Sequence, residues 1–460
     1  MDELKNVIDA SGKSYDVDRK IGEGGQGRIF LLKDGTHIVK LFQGGSRSST
    51  MKSDINYLIK LGLDRRHYAV PLREIVSPAP GYIAEFASGM IPLTELKWKG
   101  QADNFTEWYK GTGGTLKRYR VLANLAYILR SLHAKGLTYC DLSPNNIYVS
   151  SSPDKAAVFL LDMDNVRHKT GLMHNIFTPF YGAPEIVNKT DANTPMSDCF
   201  SFAVIAYELL TSSHPLIGDY VDEDADREPD ALGGNIPWVE DSNNSINHRS
   251  TGIESKYFVS SYMMRLFQKT FESGLNEPNK RPDMFDWYDT MVDSMNGLLT
   301  CPECGIDYPF DRFGHCTNCG KKPDTVLHVV MRSWDETGKY DKEEKAIFGV
   351  DLTPREDIVF DAHTSKDITS ADFLTSVSDI PEPFLRIRVK EFKDGMPIIV
   401  LEPLGGKEYF LYTMAGKALE KMPSFKSPIR VRVGQVNLES RLMVTHEKLT
   451  NKPQRVLTIE

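Results

Sequence analysis

No stretch of this 460-residue sequence approaches the ~18 consecutive apolar residues of a membrane-spanning helix. The opening residues, MDELKNVIDASGKSYD, lack the basic start and apolar core of a secretory signal, so a cytoplasmic protein is expected. Basic excess is also missing. The 55 Lys and Arg are outnumbered by 63 Asp and Glu, and a net charge of -8 provides no positive field to hold a nucleic-acid backbone. There is no long internal repeat and no low-complexity segment, and a composition of 40% hydrophobic and 26% charged residues excludes collagen, rod-like coiled coil and global disorder. Cysteine is scarce: of 6, four fall between residues 301 and 319, which leaves Cys140 and Cys199 apart. A disulfide-stapled secreted protein would spread them through a short chain. Clustered as they are, they point to a metal, and the two isolated ones to buried thiols.

What is present fits about three domains at this length. The first hundred residues read as strands around one helix. A Gly-rich turn at 22–27 precedes strands at Ile29–Leu32 and His37–Leu41; Met51–Leu61 carries a helical apolar stripe, and Gly81–Phe86 is another strand. From about 116 to 295 helices dominate, among them one marked by Leu122, Leu125, Leu129 and Leu132 and a very apolar one at Phe202–Leu210. Lys97–Thr115 and Gly218–Ser250 look inserted; Gly111–Gly114 in the first reads as a flexible loop, and the acidic run Asp219–Asp230 in the second as a solvated loop. Past residue 320, period-two alternation at Phe384–Val389, Pro397–Leu401, Tyr409–Tyr412, Ile429–Val433 and Arg455–Ile459 predicts a separate antiparallel β domain.

Three segments carry chemistry. Ile21-Gly-Glu-Gly-Gly-Gln-Gly-Arg-Ile29 contains G-x-G-x-x-G, whose glycines let a backbone lie close over nucleotide phosphates. A strand, not a helix, follows, so a dinucleotide-binding reading fails, while Lys40 on the next strand stands where a phosphate-binding lysine is expected. Asp141 and Asn146 lie on one tight loop, the first suited to take a hydroxyl proton, the second to offer an amide oxygen to Mg²⁺. Val158–Asp162 ends a buried strand in a carboxylate, a rigid mount for a second metal ligand.

Residues from about 15 to 295 resemble a eukaryotic-type (Hanks-type) protein kinase, an α+β bilobal fold. The resemblance rests on Gly22, Gly24 and Gly27; Lys40; Asp54-Ile-Asn-Tyr-Leu58; Tyr139-Cys-Asp-Leu-Ser-Pro-Asn-Asn146; Asp162-Met-Asp164; Thr178-Pro-Phe-Tyr-Gly-Ala-Pro-Glu185; Ser197-Asp198; and Lys280-Arg281-Pro282. It implies an ATP- and Mg²⁺-dependent protein Ser/Thr kinase with Asp141 as catalytic base and Asn146 and Asp162 as Mg²⁺ ligands. Lys40 would contact the α/β-phosphates, held by a carboxylate from the αC helix, here Asp54. Thr178 would join the catalytic Asp. Glu185 would pair with Arg281, and Asp198 would brace the catalytic loop. Glu85 and Ala87 would lie in the hinge beside a small gatekeeper, Ala84, with Ile21, Ile29, Ile38 and Tyr148 sandwiching adenine. These four apolar residues could equally be core.

Several positions depart from the family pattern. Asp54 replaces Glu, and Cys140 replaces the Arg that receives an activation-loop phosphate, so activity independent of such phosphorylation is expected. Ser143 stands in place of a γ-phosphate-touching Lys, which takes a partner from Thr178. Asp164 replaces the Gly of D-F-G, and Ile38 narrows the adenine pocket. The alternatives are therefore a nucleotide-binding pseudokinase scaffold or a small-molecule phosphotransferase.

Cys301-Pro-Glu-Cys304 and Cys316-Thr-Asn-Cys319, each followed by Gly, have the spacing of a structural Zn²⁺ ribbon, with His315 a bystander. The limits expected are a kinase N-lobe at 1–90, a C-lobe at 91–297, the ribbon at 298–323 and a small all-β sandwich or barrel at 324–460. The whole layout resembles bacterial kinases that carry zinc ribbons and are encoded beside a von Willebrand A-type protein and a metal-dependent phosphatase, which implies protein partners and neither membrane nor nucleic acid.

Overall fold

The computed structural model describes residues 4–24, 27–43, 55–100, 104–168, 175–323, 325–334, 336–340, 346–350, 354–361, 365–369, 383–393, 396–415, 418–421, 423–432, 440–445 and 454–459. The chain divides into two units, Met1–Ala102 with Asn124–Gly252 and Leu266–Tyr288, and Asp103–Ala123 with Ile253–Arg265 and Asp289–Glu460.

In the first unit, β1 (Asn6–Asp9), β2 (Ser14–Gly24), β3 (Gly27–Leu32), β4 (His37–Phe42), β5 (Arg73–Ser77) and β6 (Gly81–Glu85) close into a barrel in the order β1-β2-β3-β4-β6-β5. Alternating residues of these strands turn inward, so that Val7, Val17, Phe30, Leu32, Val39, Leu41, Ile75 and Ile83 form its core. The short β1 completes the closure by pairing with both β2 and β5. Its Asp9 is held by Ser11 and Lys13 backbone N–H groups and by the Ser11 and Tyr15 hydroxyls. Gly81 faces the Lys40 carbonyl so closely that a Cβ would sit 2.1 Å from that oxygen, which lets β6 lie flat against the strand carrying Lys40. Residues 55–60 are helical; Asp54 lies outside the described residues.

Beyond the barrel, α1 (Phe105–Gly111) and α2 (Gly114–His133) follow each other directly. The glycines read as a flexible loop are thus a helix end and a helix start, with Gly113 and Gly114 at φ 95° and 63°, where a side chain would be strained. The acidic run is likewise no loop: it forms short helical turns at Asp219–Asp222, Ala225–Arg227 and Glu228–Leu232. The apolar helix α3 (Pro195–Thr211) is capped by Thr194, whose side chain and that of Ser197 exchange hydrogen bonds with each other's backbone, and every residue from Ser197 onward is buried.

In the second unit, one sheet runs Pro354–Asp361, Val326–Trp334, Gln454–Ile459, Ser440–Thr445, Phe410–Ala415, Ala418–Lys421 and another Ser365–Thr369, Pro383–Lys393, Met396–Pro403, Ile429–Arg432. All their pairings are antiparallel. One cluster, including Val329, Leu411 and Leu457 from the first and Ile368, Ile387 and Leu401 from the second, joins them as a sandwich.

Candidate active site and cysteine cluster

Lys40 leaves β4 into a site where it is only 4% exposed. Its ammonium lies 2.8 Å from Asp162 Oδ1 and 3.2 and 3.3 Å from the two oxygens of Asp164. Burial works against the charge, but the carboxylates of Asp164 and Asp162 outweigh it and raise the Lys40 pKa. Opposite lies the loop from Tyr139 to Asn146. Cys140 is held there at φ 73°, a costly conformation for a side-chain-bearing residue. It is fixed by Asp198 of α3, which accepts from the backbone N–H of Tyr139 (2.7 Å) and Cys140 (3.0 Å) and from His133 Nε2 (2.9 Å).

The catalytic-base candidate is held at both oxygens. Thr178 Oγ1 donates to Asp141 Oδ1 at 2.7 Å and Asn165 Nδ2 to Oδ2 at 3.2 Å. Asn146 Nδ2 donates to the Asp141 carbonyl at 2.9 Å, which commits the amide nitrogen and leaves the amide oxygen for a cation. The Leu161 N–H bonds the Asn146 carbonyl at 2.9 Å and so brings Asp162 beside Asn146. Glu185 and Arg281 form a two-pronged pair, 2.7 Å at each contact.

The remaining expected residues separate. Ile38, Ala84, Ala87 and Tyr148 belong to one apolar cluster with Phe42 and Tyr82. Glu85 ends β6, while Ile21 is 42% exposed on β2 and Ile29 is partly buried on β3. Gly22 pairs with Ile29 and Gly24 with Gly27, so the glycine motif is a hairpin whose tip, residues 25–26, lies outside the described residues.

A protein kinase domain profile matches residues 15–287, more than half of the chain. The chain belongs to the protein kinase family. It is 37% identical over 229 residues to ribosomal protein S6 kinase alpha-2 of Mus musculus, which covers 45% of this chain and 28% of that protein. It is 31% identical over 129 residues to serine/threonine-protein kinase dkf-2 of Caenorhabditis briggsae (27% and 11%). It is 25% identical over 229 residues to serine/threonine-protein kinase PknD of Chlamydia caviae (44% and 24%). The chain thus spans less than a third of the length of these relatives.

Against this kinase frame, sequence reasoning missed Asn165 and the place of Asp164. Both sit in the turn Met163–Asn165, just past Asp162, which itself has a left-handed backbone at φ 46°. Their only signal was polar residues following an already recognised aspartate.

In the second unit the sulfur atoms of Cys301, Cys304, Cys316 and Cys319 all lie within 4.8 Å of one another. Cys301 and Cys319 are 3.5 Å apart and Cys304 and Cys316 3.7 Å, close to the edge of about 3.8 Å in a tetrahedron with Zn–S bonds of about 2.3 Å. The two halves are built alike. Gly305 and Gly320, at φ 70° and 76°, donate to the carbonyls of Cys301 and Cys316, both at 2.8 Å. Burial disfavours the Cys304 thiolate, but the Ile306 N–H, the Asn318 side chain and neighbouring cysteines draw its pKa down to about 7. His315 turns Nδ1 to the Phe313 carbonyl and takes no part. Cys140 and Cys199, by contrast, are buried thiols whose pKa values are pushed up by desolvation.

Proposed function

We propose that the protein is a Mg²⁺- and ATP-dependent serine/threonine protein kinase. The observation that carries this reading is the convergence of Lys40, Asp162, Asn146 and a doubly held Asp141 in one site, with Thr178 on the base. Asp141 takes the proton of an acceptor Ser or Thr as its oxygen bonds the γ-phosphorus and the bond to ADP breaks. Thr178 and Asn165 keep the Asp141 carboxylate aimed, and Lys40 orients the α/β-phosphates. Asn146 and Asp162 would hold Mg²⁺, which supplies charge neutralisation at the phosphates. Glu85 and Ala87 serve as the hinge, with Ile38 and Tyr148 lining the adenine side. Incubation with Mg·ATP and a cytosolic protein extract should yield new phosphoserine or phosphothreonine by mass spectrometry. Asp141→Ala should remove it; unchanged transfer in that variant refutes the assignment.

The four cysteines are read as a closed structural Zn²⁺ site: four thiol ligands with no open position suit a folding role, not catalysis. With it go the limits 1–90 and 91–297 for the kinase lobes, 298–323 for the ribbon and 324–460 for a β docking module. One zinc per chain by metal analysis, lost in Cys301→Ser/Cys316→Ser, is the test.

A further inference from the structure

The D-F-G glycine of the family is here an aspartate, and its carboxylate lies on the phosphate-binding lysine. Asp164 presents both oxygens to Lys40, at 3.2 and 3.3 Å, and its side chain is 13% exposed against 34% for Asp162. It is also rigidly placed. Met163 and Asn165 on either side are buried, at 0% and 3%, and Arg167 Nη1 donates to the Asp164 carbonyl at 2.6 Å. Asp162, the more exposed partner, is the carboxylate reserved for Mg²⁺ in the reading above. If a metal draws on Asp162, Asp164 remains beside Lys40 as a protein carboxylate, next to whatever phosphates the ammonium meets. Among the described residues, Asp164 is the other carboxylate within 4 Å of the Lys40 ammonium.

We propose that Asp164 is the standing counter-ion of Lys40, a positioning residue that does from the D-x-D turn what the family assigns to a carboxylate on the αC helix. The proposal rests on the kinase reading for the role of Lys40. It also turns an apparent defect of the motif into a functional part: the carboxylate holds the ammonium at fixed height between β4 and the catalytic loop, whichever way Asp162 is engaged.

The test is a double-mutant cycle on the full chain, reading Mg·ADP affinity by calorimetry, with thermal melting to verify folding. Asp164→Asn and Asp164→Gly should each weaken Mg·ADP about fivefold or more when Lys40 is present, and neither should weaken it further in a Lys40→Ala background. ATP turnover should show the loss as a raised KM for ATP, with KM for the protein acceptor unmoved. An equal effect of Asp164→Asn with and without Lys40, or wild-type affinity in Asp164→Gly (which restores the family residue), overturns the proposal. The binding cycle is independent of phosphoryl transfer. A wild-type chain that shows this coupling yet phosphorylates nothing would sink the kinase reading and leave the Asp164 assignment standing.

Discussion

Removing the carboxylate of Glu185 tests how the Thr178–Glu185 segment is tied to the helical core. Arg281 has a side chain with 0% exposure, and Glu185 is 12% exposed. The guanidinium gives both of its terminal nitrogens to Glu185 at 2.7 Å. It also reaches the carbonyls of Gly274 (2.8 Å), Met196 (3.1 Å) and Leu275 (3.1 Å) and lies 5.0 Å from the Phe200 ring. Glu185→Ala would leave that cation buried, with three dipoles and a ring but no counter-charge. Breaking one side of a buried pair costs roughly 3–5 kcal/mol. The surviving carbonyls place this case at the lower end, about 3 kcal/mol. At about 2–4 °C per kcal/mol for a unit of this size, the melting midpoint should fall by about 6–12 °C. Glu185→Gln, which keeps one acceptor oxygen, should lose about half as much. Urea denaturation followed by tryptophan fluorescence suits the measurement, because Trp238 and Trp287 are both buried in the same unit. Glu185→Ala together with Arg281→Met should fall short of the sum of the single changes by at least about 1 kcal/mol. A loss below about 1 kcal/mol in Glu185→Ala, or strict additivity in the pair, would refute the claim that Arg281 depends on this carboxylate for its charge.

Thr178→Val removes a hydroxyl donor to a charged oxygen, worth roughly 1.5–3 kcal/mol, so kcat should fall by about 10- to 100-fold while Thr178→Ser stays near wild type in the same phosphorylation assay. Asn165→Leu should lower kcat to a smaller extent by leaving Asp141 Oδ2 only the longer 3.5 Å contact with Asn146, with little change in KM for ATP. Asp9 is drawn down to about 2, chiefly by the Ser11 hydroxyl, so its contribution is present above the ordinary 3.8 and is lost as pH falls through about 2. The stability gap between wild type and Asp9→Asn should accordingly close over that acid range in pH-dependent denaturation. Protons compete with a metal for the four thiolates, so acidification or chelation should release zinc, seen with a colorimetric metal indicator, and lower the melting midpoint.

Much of this architecture was legible because its signals are local. Asp141 and Asn146 share one short loop, and each Cys-x-x-Cys closes on its own glycine, so spacing alone implied the geometry. About half of the sandwich strands were legible from alternation; others, such as Val326–Trp334 with Val329, Val330 and Met331 all buried, bury residues of both faces and so show no period of two. Longer-range features were not. β1 is four residues long, and nothing in Asn6–Asp9 announces that it pairs with both β2 and β5 to close the barrel. Gly111–Gly114 looked like a loop because glycine frequency cannot distinguish flexibility from two helices meeting at positive φ. The acidic run looked like a loop because charge reports solvent exposure, which short surface helices share.

The departures from the kinase pattern show most clearly where residue-by-residue comparison runs out. Taken singly, Ser143 and Asp164 each subtract something: a basic contact in one case, a flexible glycine in the other. The structure places polar groups near both positions. Ser143 is buried, and its carbonyl caps the Asn146 turn, while Asp141 Oδ2 accepts from Asn146 Nδ2 at 3.5 Å and from Asn165 at 3.2 Å. Asp164 meets Lys40 from the same turn. One four-residue stretch, Asp162 to Asn165, therefore touches both Lys40 and Asp141. A compensation of this kind is invisible to spacing, because partners that arrive from a different segment leave the original motif looking broken. Substitutions that appear as separate defects in a motif are better judged as a set, by asking whether every charge and hydrogen-bonding group they disturb still has a partner in space.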